Sequence, residues 1–485
     1  MNKNIIIIIL GLLLTNAFTY SFLQYYNTPL DGDMAGGIVP SKDVQEIFND
    51  PFGFSSILTN KKHPNPNRFF AHLFFKDYFQ KVPLLFQKVV TPINSIYYSS
   101  ALIKLIIKIM IIYLLSAMIS KSKSIFNLKL LIVAILITPL FQAYGYNGYM
   151  GIIDKSITYT FFYALPLMLL LLFFYPFYTI VFDNKSNELN RTSKIFMTLL
   201  VIILPFSGPL IPAIILIVTT LLFLFYFIKN IGIKHLFIKT LSDIPKDILV
   251  FFIPISLLSI YSLLLGTYNS TYQTDVIPVA ERYWRLPLGI YYQFTQKLGF
   301  PILFIMIASN IFLIKKYFNN KDSQKIINSL KWIGVFSILY ILLLPLGGYR
   351  PYRPNILRYD TIMPITICLI YIYGISSYFL IMNLNKRKLL YYTAIITFSL
   401  IFFNADKSNL NENKCEKQAL ISISNSNKKI VPIKNNCKVL YWEPITDYNQ
   451  SRLNARLLKM WNITNEIKFY YNEPAANKSN RCTNL

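Results

Sequence analysis

Long apolar runs separated by short polar links dominate this 485-residue sequence. Each run approaches the ~20 residues that an α-helix needs to cross a bilayer, which excludes a large soluble protein with an apolar core. The pattern predicts about eleven membrane-spanning helices, and the third, fifth, ninth and eleventh of them are short. The predicted spans are Ile5–Leu23, Ser99–Ile119, Leu128–Gln142, Ile157–Val181, Ile195–Pro205, Leu210–Ile228, Ile248–Leu265, Phe300–Ile314, Trp332–Leu344, Ile362–Met382 and Leu389–Phe403.

The basic residues of the links predict the orientation. With a cytoplasmic N-terminus, the inner links carry about eighteen Lys and Arg residues and the short outer links about seven, as the positive-inside rule requires. The rule also applies to the fifth and sixth spans, which meet at Ser207-Gly208-Pro209. Treating that turn as a kink in one long helix breaks the alternation, so a hairpin is favoured and the C-terminus is predicted to lie outside.

Two segments are too polar to lie in lipid, a first outer loop at residues 24–98 and a tail at residues 405–485. Within the loop, Arg68–Phe79 has aromatic residues at helical spacing, which predicts a helix in the membrane interface. The predicted fold is therefore an all-α polytopic membrane protein. Residues 1–404 form its transmembrane domain with the long outer loop, and residues 405–485 form a small α/β extracytoplasmic domain.

The tail has its own predicted elements, and three of the four cysteines lie in it. In an oxidising compartment a disulfide between Cys415 and Cys437 is expected, with free thiols as the alternative and the pairing of Cys482 left open. The predicted strands are Ala419–Ser422 and Val439–Trp442, and the predicted helix is Leu453–Met460.

Composition agrees with a membrane protein of the bacterial inner (plasma) membrane. Hydrophobic residues make up 54% of the chain and charged residues 14%, whereas a soluble domain has about 25% charged residues. The net charge of +26 does not indicate nucleic-acid binding, because Lys and Arg lie mainly in the short links and form no continuous stripe. They are interpreted as topology signals and anchors to membrane lipids.

The candidate chemistry begins with Asp31-Gly32-Asp33, about eight residues beyond the first span. Two carboxylates one residue apart can share a divalent cation such as Mg²⁺ or Mn²⁺, or one can act as a base while the other tunes it. Asp and Gly are also common in hydrated turns, so an ordinary loop is the alternative.

A second candidate is the outer loop between the ninth and tenth spans, which contains Arg350, Arg353 and Arg358. Arg presents a planar fork that binds phosphate oxygens in a bidentate manner. Anchoring to lipid headgroups, or pairing with Asp360, is the alternative. The loop is predicted to bind a lipid phosphate.

Further substrate-binding candidates have weaker signals. Glu281 and Arg282 lie in an aromatic outer loop suited to stacking on a sugar ring, although an interfacial aromatic belt has the same composition. Lys104 and Lys108 lie one turn apart within the second span, where charges are expensive and point to function. His72 is a candidate substrate contact in the first outer loop, and a structural role is its alternative.

In this arrangement the chain resembles the GT-C superfamily of membrane glycosyltransferases, which includes protein O-mannosyltransferases and the lipid A aminoarabinose transferase. The resemblance covers nearly the whole chain as architecture, but only a few residues as motif. It implies a sugar donor on polyprenyl phosphate, and a glycan, lipid or protein acceptor. Asp31 and Asp33 occupy the acidic catalytic position, although Asp-Gly-Asp replaces the Asp-Glu pair of the protein mannosyltransferases, and the Arg350/Arg353/Arg358 loop is the candidate phosphate site.

The predicted function is therefore sugar transfer at the outer membrane face, with Asp31 or Asp33 as base. An O-antigen polymerase or ligase is the nearest alternative, although those proteins usually place their large outer loop late in the chain. A transporter or flippase is favoured less, because its spans typically carry more ionisable residues. A non-catalytic scaffold leaves the outer Asp and Arg clusters unexplained.

Overall fold

The computed structural model describes residues 2–183, 189–233, 235–270, 277–347, 353, 355–434 and 436–473. Within these residues the chain is a bundle of helices with one two-stranded sheet. From the N-terminus the helices are α1 (Lys3–Tyr26), α2 (Met34–Ile38), α3 (Lys42–Asn49), α4 (Phe54–Thr59), α5 (Phe69–Phe86), α6 (Pro92–Ser120), α7 (Leu128–Ile137), α8 (Asn147–Met150), α9 (Ile157–Tyr159), α10 (Leu165–Asp183), α11 (Arg191–Ile203) and α12 (Leu210–Lys229). They continue with α13 (Leu236–Asp243), α14 (Lys246–Gly266), α15 (Val279–Trp284), α16 (Leu286–Thr295), α17 (Gly299–Tyr317), α18 (Lys321–Leu343), α19 (Met363–Asn383), α20 (Lys388–Ala405), α21 (Lys414–Asn425) and α22 (Arg452–Met460).

Nine helices in the described part of the chain are long and apolar enough to cross a membrane. A π-helical turn at Thr160–Ala164 joins α9 to α10, and these three pieces form one of the nine. The nine spans are Lys3–Tyr26, Pro92–Ser120, Ile157–Phe182, Leu210–Lys229, Lys246–Gly266, Gly299–Tyr317, Lys321–Gly347, Met363–Asn383 and Lys388–Ala405. The expectation of a polytopic helical membrane protein is confirmed at this level.

The remaining two predicted spans are helical but short. Helix α7 continues into a 3₁₀ turn and ends at Leu140, and α11 continues into a 3₁₀ turn at Leu204–Phe206. Gly208 then adopts a positive φ of 127°, and a new helix, α12, begins two residues later. A positive φ is accessible to glycine without the steric cost of a Cβ, so the chain breaks there into two helices as the sequence predicted.

Two helices form the centre of the bundle. In both α6 and α19, 61% of the apolar window is buried by protein, against 11% in α1 and 22% in α20. Helix α6 begins at a strong start signal, because the Thr91 side chain accepts a hydrogen bond from the Asn94 amide and Pro92 occupies the first turn. It packs against α1, α5, α7, α10 and α19, so it links the first loop to the bundle.

The tail contains α21, α22 and two parallel strands, β1 (Ile430–Ile433) and β2 (Phe469–Asn472). The predicted helix at Leu453–Met460 lies within α22 and is confirmed. Both predicted strands were wrong, because Ala419–Ser422 is part of α21 and Val439–Trp442 is irregular. In α21 the buried residues Ala419, Leu420 and Ile423 have helical spacing.

The tail docks on the first loop and shares a core with it. Trp461 is fully buried, and its Nε1 donates a hydrogen bond of 2.9 Å to the Phe79 carbonyl of α5. Gln87 donates a hydrogen bond of 2.7 Å to the Trp461 carbonyl. Cys415 and Cys437 form a disulfide with a Cα–Cα distance of 5.8 Å, and Cys482 lies outside the described residues.

Candidate functional site

A cavity of about 810 Å³ lies where the first loop, the start of α9 and the tail meet. Its walls come from α2, α3, α5, the segment from Thr158 to Tyr163, and residues 441–454 of the tail. This volume is in the range of sites that enclose small molecules. The charged and titratable side chains that line it are Asp33, Asp43, Arg68, His72, Tyr159, Tyr163, Arg353 and Tyr441.

Asp31 does not line the cavity and is used instead to cap a helix. Its carboxylate is 5% exposed and accepts hydrogen bonds from Ser156 Oγ (2.7 Å), from the Thr158 amide (2.8 Å) and from Thr158 Oγ1 (2.7 Å). The Asp33 amide donates a fourth hydrogen bond of 3.0 Å. A carboxylate at a helix N-terminus stabilises the orphan amides and the helix dipole, so Asp31 positions the start of α9.

Asp33 is the carboxylate of the pair that faces the cavity. It is exposed, and its Oδ1 accepts a hydrogen bond of 3.1 Å from Trp442 Nε1. The glycine between the two carboxylates is required by this contact, since a Cβ at Gly32 would lie 2.6 Å from the Trp442 backbone nitrogen. The Asp-Gly-Asp sequence thus separates one structural carboxylate from one that faces the cavity.

Arg353 and Arg358 share one buried carboxylate. Asp360 is 0% exposed, and its Oδ2 accepts hydrogen bonds from Arg353 (3.1 Å) and from Arg358 (3.0 Å). Arg358 Nε also lies 2.7 Å from Asp360 Oδ1. Arg353 is the member of this cluster that lines the cavity. Arg350, the third arginine of the predicted cluster, lies outside the described residues.

Tyr159 connects the acidic and basic sides of the cavity. Arg353 donates a hydrogen bond to the Tyr159 hydroxyl, and its guanidinium carbon lies 5.5 Å from the centre of the Tyr159 ring. The opposite neighbour of the ring is Trp442, stacked at 6.4 Å and 27°. Asp33 and Arg353, which are 320 positions apart in the sequence, therefore line the same cavity.

His72 and Arg68 enter the cavity wall one turn apart on α5. His72 is 7% exposed, packs edge-on against Phe162 at 4.6 Å, and has no hydrogen-bond partner for either ring nitrogen within the described residues. Burial and the nearby Arg68 lower the pKa of His72 to about 3, so the imidazole is neutral near pH 7. In the described part of the chain, Arg68 has no carboxylate within 4 Å.

Lys104 and Lys108 are buried and do not line the cavity. Lys104 Nζ donates a hydrogen bond to the Lys155 carbonyl, and Lys108 Nζ donates one of 2.7 Å to Ser21 Oγ. The two lysines therefore tie α6 to α1 and to the segment before α9. Asp154, which sequence reasoning missed, faces this cluster, and burial raises the pKa of its carboxyl to about 6.

Glu281 and Arg282 lie on α15 outside the cavity lining. Arg282 donates hydrogen bonds to the carbonyls of Ile277 (2.9 Å) and Pro345 (3.1 Å). Glu281 forms an ion pair with Arg285, four residues away on the same helical turn. The structure gives both residues local partners and does not bring them to the Asp33–Arg353 site.

A narrow apolar crevice of about 20 Å³ adjoins the arginine wall. It shares Phe162 and Tyr163 with the cavity and includes Asp360. Its remaining lining comes from the Ser207–Pro209 turn and from α10, α12 and α19. The crevice thus lies between the buried Asp360 and these apolar helices.

Two aromatic residues of the site, Tyr159 and Trp442, were not singled out from the sequence. Tyr159 was placed inside a predicted span, and Trp442 was placed in a predicted strand. No local signal joins Trp442 to Asp33, because the contact spans 409 residues.

The cation predicted to be shared by Asp31 and Asp33 stays a prediction. The Asp31 oxygens already accept four hydrogen bonds, and the Asp33 carboxylate accepts one from Trp442. Among the described residues no group of three or more His, Cys, Asp and Glu side chains is arranged to hold a metal ion.

Comparisons with known proteins give this chain no relatives from which to transfer a function. No family model, curated protein or solved structure matches it. Its function is therefore inferred from the residues and geometry of the cavity.

Proposed function

We propose that this chain is an integral membrane glycosyltransferase that transfers a sugar from a polyprenyl-phosphate-linked donor to an acceptor. The observation that supports the proposal is the common cavity of Asp33 and Arg353. Glycosyl transfer needs a base near the acceptor hydroxyl and cationic groups near the departing phosphate. A cavity with the Asp33 carboxylate on one wall and the Arg353 guanidinium on another supplies a group for each need.

The proposed arrangement has eleven crossings, a cytoplasmic N-terminus and an extracytoplasmic tail in the bacterial inner membrane. The directions of the two short helices support this count. The end of α7 and the end of α20 meet, because Gln142 donates a hydrogen bond to the Phe402 carbonyl. The end of α11 lies at the first loop, where Phe206 packs on Phe52 at 5.1 Å. Each short helix thus returns the chain to the cavity end of the bundle.

In the proposed reaction the oxygen of the acceptor hydroxyl attacks the anomeric carbon of the donor, and Asp33 takes the proton of that hydroxyl. The bond between that carbon and the phosphate oxygen breaks, and the phosphate leaves with the electron pair. Arg353 stabilises the negative charge of the departing phosphate, and Arg358 shares the Asp360 carboxylate with it. Asp360 orients both guanidiniums, and Asp31 positions Tyr159 by capping α9.

A lipid-linked donor suits the setting of the cavity, because nine helices of the described residues are long and apolar enough to cross a membrane. The crevice beside Asp360 is lined by apolar residues of α10, α12 and α19. Its volume of about 20 Å³ matches a single water molecule, so it would have to widen to admit a lipid chain.

Binding of undecaprenyl phosphate to the purified full chain in nanodiscs tests the proposal, with undecaprenol as the uncharged control. Native mass spectrometry should detect the phosphate and not the alcohol. Arg353→Ala should weaken binding by about 10- to 100-fold, since a hydrogen bond to a charged group contributes about 1.5–3 kcal/mol. Arg191→Ala, at the far end of the bundle, is the matched control. Equal binding of phosphate and alcohol, or unchanged binding by Arg353→Ala, overturns the proposal.

A further inference from the structure

One group in the cavity has no role in the proposed reaction. His72 is 7% exposed, and both of its ring nitrogens lack a partner among the residues that the structure describes. A buried polar group without a partner lowers stability, and such groups are rare enough in native proteins to need an explanation. His72 lines the cavity, and both nitrogens are covered by protein in the ligand-free structure, so a bound molecule can supply the missing partner once the ring turns toward it.

The surroundings of His72 hold its ring at the cavity wall. The ring packs edge-on against Phe162 at 4.6 Å, and the Arg68 guanidinium carbon lies 5.8 Å from the centre of the same Phe162 ring. Both side chains come from the first turns of α5. This wall therefore combines an aromatic surface, a cation and a polar ring within one turn of helix.

The chemistry of the ring selects the class of ligand. A neutral imidazole offers one donor nitrogen and one acceptor nitrogen. A phosphate oxygen only accepts, so a phosphate would leave the acceptor nitrogen unsatisfied. Neighbouring hydroxyl groups both donate and accept and satisfy both nitrogens at once. Aromatic surfaces such as Phe162 also suit the apolar face of a sugar ring.

We infer that His72 and Arg68 form a sugar-recognition subsite of the cavity, with His72 as a specificity-determining residue that binds sugar hydroxyls. The inference rests on the proposed glycosyltransferase function and deepens it, because it assigns the sugar to the α5 wall and the lipid phosphate to the Arg353 wall. When a sugar phosphate is bound, the α5 wall holds its sugar and the Arg353 wall holds its phosphate. Before transfer, the two walls hold the donor and the acceptor hydroxyl.

The test uses the purified full chain in nanodiscs and a panel of methyl hexosides and methyl pentosides as probes. At least one probe should raise the thermal unfolding midpoint of the unaltered protein. His72→Phe keeps a flat ring against Phe162 and removes both nitrogens. Its ligand-free midpoint should be equal or higher, because an unpaired buried polar group is gone, and its affinity for the active probe should fall about tenfold. His63→Phe, outside the cavity, is the matched control and should keep the probe-dependent shift.

Three results overturn the inference. In the first, no probe raises the thermal unfolding midpoint of the unaltered protein. In the second, His72→Phe keeps the full probe-dependent rise of the midpoint. In the third, His72→Phe has a lower midpoint without ligand, which would make the role of the ring structural. Undecaprenyl phosphate binding is measured on the same samples. If it persists in His72→Phe while the sugar result fails, the subsite is wrong and the phosphate part of the proposed function stands. If Arg353→Ala leaves lipid binding unchanged, the proposed function itself fails.

Discussion

Trp442 donates a hydrogen bond of 3.1 Å to the carboxylate of Asp33, although the two residues are 409 positions apart. The same indole stacks on Tyr159, which accepts a hydrogen bond from Arg353. The Trp442 side chain of the tail therefore contacts Asp33 on one wall of the cavity. It also contacts Tyr159, which is hydrogen-bonded to Arg353 on the other wall. Four predictions follow from this arrangement and from the buried groups around it.

The two aspartates should separate into a catalytic and a structural residue. Asp33→Asn removes an exposed carboxylate, so transfer activity should fall by about 10²–10⁴-fold while the thermal midpoint stays unchanged. Asp31→Asn leaves at least one of its buried donors unpaired, which costs about 1–3 kcal/mol of stability. Activity and unfolding measured on the same preparations check both effects. Full activity in Asp33→Asn would contradict its assignment as the base.

Gly32→Ala should displace the tail from the cavity. The added Cβ would lie 2.6 Å from the Trp442 backbone nitrogen, and a main-chain atom cannot rotate away as a side chain can. Limited proteolysis should then cut the tail of the variant faster than that of the unaltered protein. Gly36→Ala is the control, since a Cβ there meets no atom within 4 Å. Equal cleavage rates for Gly32→Ala and Gly36→Ala would show that the tail can shift without cost.

Removing the disulfide should loosen the tail. Cys415 and Cys437 close a loop with a sequence separation of 22, for which the chain-entropy model gives about 3 kcal/mol of stabilisation. The double variant Cys415→Ser/Cys437→Ser should therefore lower the free energy of unfolding of the tail by about that amount. Hydrogen exchange of the α21 amides measures the change. Cys368→Ser, in α19, is the comparison for loss of a thiol elsewhere, and protection of α21 equal to that of the unaltered protein would contradict the prediction.

The stability of the docked tail should fall as the pH rises from about 4.5 to 7. Burial raises the pKa of Glu416 to about 7, against the hydrogen bonds that the Leu30 and Leu440 amides and the Tyr97 hydroxyl donate to it. Between these pH values the folded state still binds a proton on Glu416 that the unfolded state has released. The free energy of unfolding therefore falls as the pH rises. The full effect is about 3 kcal/mol, at about 1.4 kcal/mol per pKa unit.

Thermal unfolding of the unaltered protein and of Glu416→Gln across this pH range checks the prediction. The neutral Gln cannot titrate, so the difference between the two curves should change with pH by the amount given above. Glu443→Gln replaces an exposed glutamate of the same tail and should leave the curve of the unaltered protein in place. Parallel curves for Glu416→Gln and the unaltered protein would mean that Glu416 does not titrate between these pH values.

The membrane helices could be predicted from the sequence because the signal for each is local. An apolar run such as Leu210–Lys229 is nearly sufficient to specify a helix in lipid, since every backbone group is satisfied within the segment. The tail lacks such runs. Its first strand contains Pro432, which counts against a strand and is tolerated here because a two-stranded sheet has only edge strands.

The site was only partly predictable for the same reason. Asp33 and Arg353 were singled out by residue type and because each lies in a predicted outer loop just after a span. That Asp31 is a helix cap required the position of Ser156 and Thr158, which no spacing in the sequence indicates. His72 was a minor candidate, because the feature that distinguishes it is the lack of partners for its buried nitrogens, and only packing can reveal that.

The docking of Trp461 on Phe79 has a consequence for how the protein is made. Translation at about 5–20 residues per second needs roughly 20–80 s to pass from Phe79 to Trp461, which is 382 residues later. During that time the α5 surface that the tail later covers lacks its partner and is open to wrong contacts. The cavity is complete only after residues 441–454 have emerged, so a partly synthesised chain lacks the candidate site.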